Sequence, residues 1–203
     1  GFLLTGHITA ADKNWQNVSI DLDTISAKDA NGKIVEVVPS SESWSDNEFS
    51  LKVATKEFEG PVTFEVKDIW VWANTEEPAT FTFDTGIDPK TGQTWTIDQE
   101  LTVAGLPVRV LDVKMVEDNS HTNVPNTLYG YSVQISSEKL NSASLNCYDQ
   151  DGPQSLFGQT MPLDDGSLKV ENFYTEAIPT GLITCELRDA QFKESGSWQF
   201  EWR

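Results

Sequence analysis

The chain has 203 residues, and 14 Lys and Arg against 32 Asp and Glu give it a formal net charge of −18. A molecule this acidic repels phosphate backbones and anionic headgroups, which argues against nucleic-acid and passive membrane-surface binding. Its 38% hydrophobic residues, seven Trp among them, are enough for a core and argue against wholesale disorder; no apolar run approaches the ~18–20 residues a membrane-spanning helix needs.

The start, Gly1-Phe2-Leu3-Leu4, lacks the basic n-region and cleavage site of a signal peptide. From there the apolar pattern has period two. Val18, Ile20 and Leu22 alternate with Ser19 and Asp21; Phe49, Leu51 and Val53 with Ser50 and Lys52; Val62, Phe64 and Val66 with Thr63 and Glu65. Phe81 and Phe83 flank Thr82. The same beat continues through Trp95 and Ile97, Leu101 and Val103, then Tyr131, Val133 and Ile135, then Ile183, Cys185 and Leu187, and ends on Trp198, Phe200 and Trp202. Alternation of this kind predicts strands with one buried and one wet face. Asp29-Ala30-Asn31-Gly32, Asp149-Gln150-Asp151-Gly152 and Asp164-Asp165-Gly166 are turn chemistry between the runs. No stretch of ~12 residues has a convincing helical period, so the pattern predicts an all-β fold of antiparallel sandwiches.

Self-comparison predicts an internal repeat. Ser50-Leu51-Lys52-Val53 recurs as Ser167-Leu168-Lys169-Val170. The run Val62–Asp68 answers to Ile183–Asp189, Thr80–Asp84 to Ser197–Glu201, Val18–Leu22 to Tyr131–Ile135, and Asp29/Gly32 to Asp149/Gly152. The offset is 117 residues at both the tetrapeptide and the last strand. The fold expected is two tandem immunoglobulin-like antiparallel β-sandwich domains, residues 1–85 and 86–203, joined by the Gly/Pro-bearing segment Asp84–Gln93 acting as a linker. The Trp95 strand has no counterpart in the first copy. That copy is therefore expected to be smaller or incomplete at its N-terminus, with an uncovered strand edge that is either an aggregation liability or a docking place for another strand.

The junction Phe81-Thr82-Phe83-Asp84-Thr85-Gly86, Gly92-Gln93-Thr94-Trp95 and Leu101-Thr102-Val103-Ala104-Gly105 resembles that of extracellular β-sandwich repeats in bacterial membrane-anchored, anti-sigma-factor-like proteins of unknown function. The match covers about 25 residues at the junction, and the tandem pattern extends it loosely. The resemblance implies an exported module at the cell surface with a sensory or structural role, its parent protein membrane-anchored, and it carries over no catalytic residue.

Candidate sites are few. The histidines are His7 and His121, no Gly-x-Ser-x-Gly elbow exists, and neither Cys has a histidine near it in sequence, so no catalytic residue is assigned. With 32 acids, a carboxylate pair carries little information, and a hydrolase using such a pair at a groove between the domains is the least favoured reading. Asp149 and Asp151 open a loop of Ca²⁺-binding type, and Asp84 and Asp88 sit at the junction where extracellular β domains bind Ca²⁺; hairpin-turn roles compete with both. Asp21 and Asp23 are read as sharing a strand face. Trp15 and Trp44, in polar surroundings, are the tryptophans expected to be exposed and to stack on a ligand, which leaves a carbohydrate-binding module as the alternative function. Cys147 and Cys185 form either one disulfide or two buried thiols. The expected function is a non-catalytic sensory or adhesive module whose partners are protein or glycan at the cell surface.

Overall fold

The computed structural model describes residues 2–8, 14–40, 47–54, 57–75, 77–118, 128–151, 155–174 and 177–202. Among them are fourteen strands, one three-residue 3-10 turn (Leu22–Thr24) and no α-helix. The strands are β1 (Phe2–His7), β2 (Trp15–Ile20), β3 (Ser26–Lys28), β4 (Val37–Pro39), β5 (Glu48–Val53), β6 (Val62–Ala73), β7 (Ala79–Asp84), β8 (Thr94–Val103), β9 (Leu106–Asp118), β10 (Leu128–Ser136), β11 (Leu140–Tyr148), β12 (Ser155–Pro162), β13 (Leu168–Tyr174) and β14 (Leu182–Trp202). The period-two pattern is the reason they form: Val62, Phe64 and Val66 of β6 are buried while Thr63 and Lys67 are exposed. Gly32 and Gly166 take the positive φ values that their turns require.

The chain divides into two compact units. Unit 1 is Gly1–Ala73 with Phe192–Arg203, and unit 2 is Asn74–Gln191. The expected boundary at residues 85/86 falls inside unit 2, and so does the expected linker. Thr85 and Gly86 exchange backbone hydrogen bonds with Gly181, and Gly92 and Gln93 do so with Met115. Those bonds knit the segment into unit 2 where a linker would be solvated.

In unit 1 a three-stranded sheet has the order β1-β5-β4, antiparallel throughout. A second sheet is built on β6, which pairs antiparallel with β2 and β3, while the C-terminal stretch of β14 is its other neighbour. Both sheets feed one core: Leu51 and Val53 from β5 meet Ala27 from β3 and Val62 and Phe64 from β6, with Leu4, Val37 and Phe200 packed against them. In unit 2 a five-stranded sheet has the order β12-β13-β10-β9-β8. Its second sheet is built on the N-terminal stretch of β14, whose neighbours are β7 and β11.

The strand orders of the two units correspond. β4-β5-β1 matches β12-β13-β10, and the registers superpose: Leu4 faces Leu51 as Ile135 faces Leu168, and Phe2 faces Val53 as Val133 faces Val170. β10 is therefore the counterpart of β1, not of β2. The expected match of Val18–Leu22 with Tyr131–Ile135 is corrected: β2 lies on β6, whereas β10 lies between β13 and β9. Alternation marks a strand's buried face, and both strands have one, but it does not say which sheet the strand joins.

The last strand of each expected copy lies against a strand of the other. Thr80–Asp84 of the first copy pairs with Leu182–Glu186 of the second, with Thr80 opposite Glu186. In the reciprocal place, Ser197 of the second copy donates its hydroxyl to Glu65 of the first, 3.3 Å away, and Ser195 donates to Asp68 at 2.6 Å. Under the expected repeat, Ser197 answers to Thr80 and Glu65 to Glu186, so the two pairings join corresponding strands with the copies traded. This trade is why unit 1 needs both ends of the chain.

Candidate functional site

The sheets of unit 1 differ in width, and the difference opens a cleft. The β6 sheet presents an inner face made by β2, β6 and the end of β14. The opposing sheet ends at β1, whose outer edge pairs with no strand among the described residues. Between them lies an open cleft of about 620 Å³. Val18, Ile20, Val66 and Ile69 form its floor, Leu4, Ile8 and Phe49 one wall, and Trp15, Trp198, Phe200 and Trp202 the aromatic flank. Thr5, His7 and Glu201 are the polar groups at its border.

The aromatic flank comes from the alternation at the chain's end, which sends Trp198, Phe200 and Trp202 to one side of β14. Phe200 is held between two rings, stacked on Phe64 at 4.9 Å and tilted against Phe49 at 5.5 Å. Trp202 meets Phe58 edge-on. Trp15 meets Phe192 edge-on at 6.2 Å and is half-buried. Trp198 remains 37% exposed, a large apolar surface to leave in water. Beside β2, Lys193 pairs with Asp21 and sits 4.7 Å over the Trp70 ring. The Asp21 carboxylate bonding that ammonium holds the Lys193 pKa above its ordinary value, against the opposing pull of burial.

Unit 2 shows the equivalent place filled. Phe83, which answers to Phe200, packs on Trp95 of β8 at 5.4 Å and edge-on to Tyr131 of β10 at 5.4 Å. Val103 of β8 and Val108, Val110 and Val113 of β9 are all buried. Burial pushes the Tyr131 pKa up to about 12, a Thr85 hydroxyl bond opposing it, and its hydroxyl donates to the Pro179 carbonyl at 2.6 Å. Tyr174, also raised by burial, donates to the Cys147 carbonyl.

The residues singled out in the sequence fall as follows. Trp15 lines the cleft; Trp44 and His121 lie outside the described residues. His7 is at the cleft's border, opposite Glu48 in the β1–β5 ladder. Cys147 on β11 and Cys185 on β14 are joined in a disulfide, both fully buried. Asp84 accepts from the Gly86 amide and Asp149 from the Asp151 amide, as turn residues do, and Asp88 pairs with Lys90. Among the described residues no three His, Cys, Asp or Glu side chains gather as a metal site would need. Asp21 and Asp23 do not share a strand face: Asp21 caps the 3-10 turn by accepting from the Asp23 amide, because a short carboxylate next to a free N–H favours that turn over a strand.

The row Trp198, Phe200 and Trp202, which its alternation places on one strand face and which core packing explains as well as a ligand does, lines the cleft together with Leu4, which no sequence pattern singled out. The signal was present in the unmatched Trp95 strand, which marks where the first copy lacks cover. No family model, no curated protein and no solved structure matches the chain.

Proposed function

We propose that this chain is an exported, non-catalytic binding module of the sensory or adhesive kind, built as two sandwich domains of immunoglobulin-like type, and that the cleft of unit 1 is its recognition site. The observation that carries this reading is the cleft of about 620 Å³ in unit 1, whose floor is buried but whose aromatic flank keeps Trp198 37% exposed and Trp15, Phe200 and Trp202 only partly buried, where in unit 2 Phe83 is packed against Trp95 and Tyr131. An indole exposed to that extent is costly to leave in water unless something else covers it. The Cys147–Cys185 disulfide supports an oxidising compartment, and the resemblance at Phe81–Gly105 supports a cell-surface setting for a membrane-anchored parent protein.

The neutral apolar dye Nile red tests the site. It is expected to bind at one saturable position, at least tenfold more weakly in Trp15→Ala and unchanged in Trp72→Ala, whose exposed side chain is not among the cleft residues. Absence of a saturable position, or indifference to Trp15→Ala, overturns the reading. A glycan ligand is the second reading, favoured by Trp15 and Trp198 standing beside Thr5, His7 and Glu201, since sugar rings stack on indole and bond polar borders. Retention on insoluble polysaccharide, lost in Trp15→Ala, is its expected result.

A further inference from the structure

The correspondence between the units names the kind of ligand the cleft fits. In unit 2 the outer edge of β10 is occupied by β9, antiparallel, with Val113 opposite Val133 and Val110 opposite Ile135. Those two β10 residues answer to Phe2 and Leu4 of β1. The inward residues of β9, Val108, Val110, Val113 and Met115, are buried, whereas Arg109 and Lys114 are exposed. β1 has the same register on its inner side and no strand among the described residues on its outer side. A strand occupies about 4.8 Å of sheet width, so one added at β1 would run along the cleft, beside its partly buried Leu4 and Ile8 and above a floor, Val18, Ile20 and Ile69, that is already buried.

From this, and resting on the reading of the cleft as the recognition site, we infer that unit 1 binds an extended segment of another polypeptide, which adds to β1 as an antiparallel strand and sends alternate β-branched side chains into the cleft. The backbone of β1 supplies the hydrogen bonds, and the apolar floor and tryptophans select the alternation. Charge selects further. The chain carries −18, and Glu201 stands at the cleft border, so the donor carries basic residues at its outward positions. The β9 sequence, with Arg109 and Lys114 outward, is such a strand.

The probe is a synthetic peptide of Leu106–Val116 added to the intact chain. It is expected to bind once, to displace Nile red, and to shift the amide resonances of Phe2–His7. Two further peptides, each N-methylated along one edge of the strand, the methylated set changing parity at the bulge between Val110 and Val113, separate strand addition from apolar capture without altering the protein. One set is expected to weaken binding at least tenfold and the other by less than threefold, because only the N–H groups along one edge face β1. A peptide with the same composition but its alternation scrambled is expected to bind at least tenfold more weakly. If Nile red binds but the peptide does not, or both methylated peptides bind as the parent does, strand addition is overturned and the cleft stands as a site for another ligand. If neither dye nor peptide binds, both readings fall.

Discussion

Phe83 and Phe200 occupy corresponding positions in the two units and have different fates. Phe83 is closed in by Trp95 and Tyr131, on strands that reach over it. Phe200 keeps the company of Phe49 and Phe64 and borders an open cleft. The side chain is the same, and the sheet beneath it is ordered the same way. What differs is two strands of cover, β8 and β9, and that decides whether an aromatic row serves as core or as surface. The edge of an inner sheet face becomes cleft lining by subtraction here, with no residue type set apart for it.

That contrast can be broken from the largest effect downward. Phe83→Ala is expected to cost unit 2 about 3–5 kcal/mol, the usual loss for an enclosed ring, and Phe200→Ala to cost unit 1 roughly half as much, because Phe200 is only partly buried where Phe83 is buried. Hydrogen exchange at Val133 and Leu51 reads the units separately; equal losses would show that Phe200 is as enclosed as Phe83. Reducing the disulfide, which spans 38 residues within unit 2, is expected to lower stability by roughly 2–4 kcal/mol. The loss should appear at Val133 before Leu51, and a loss shared evenly would show that the units unfold as one.

The smallest effect concerns pH. Although burial opposes it, the Asp29 carboxylate is held below its ordinary range by amides of Glu59, Lys33 and Asn31, and Asp165 is held there by the hydroxyl and amide of Ser167. A carboxylate depressed in the folded state stabilises fully above its unfolded pKa, near 3.9, and loses that contribution as pH falls through the folded value. Acid unfolding should therefore begin below the normal carboxylate range. Asp29→Asn should flatten the acid limb for unit 1 and Asp165→Asn for unit 2, measured by exchange at the same two amides.

Much of this architecture was legible in the sequence, for a physical reason. Alternation records which face of a strand is buried, and Asp-x-x-Gly records where the chain must turn, so most of the strands and the Asp29 turn follow from local pattern. The repeated Ser-Leu-Lys-Val marks β5 and β13, central strands of corresponding sheets. The exchange of last strands was not legible. Thr80–Asp84 and Ser197–Glu201 show the same alternation, so either fits beside Val62–Val66 or beside Ile183–Leu187, and nothing local states the choice. The cleft was half legible. Trp15, marked by its polar surroundings, lines the cleft and is partly buried, but the wall and flank come from β1, β2, β5 and β14, whose convergence depends on sheet order and not on spacing.

The traded strands also redefine what counts as a piece of this protein. Unit 2 is one uninterrupted stretch, Asn74 to Gln191, threaded as a guest between two portions of its host. A fragment ending at residue 85 would keep β7 without its acceptor and leave β6 without its mate, whereas excising the guest and suturing Ala73 to Phe192 removes no strand that the host employs.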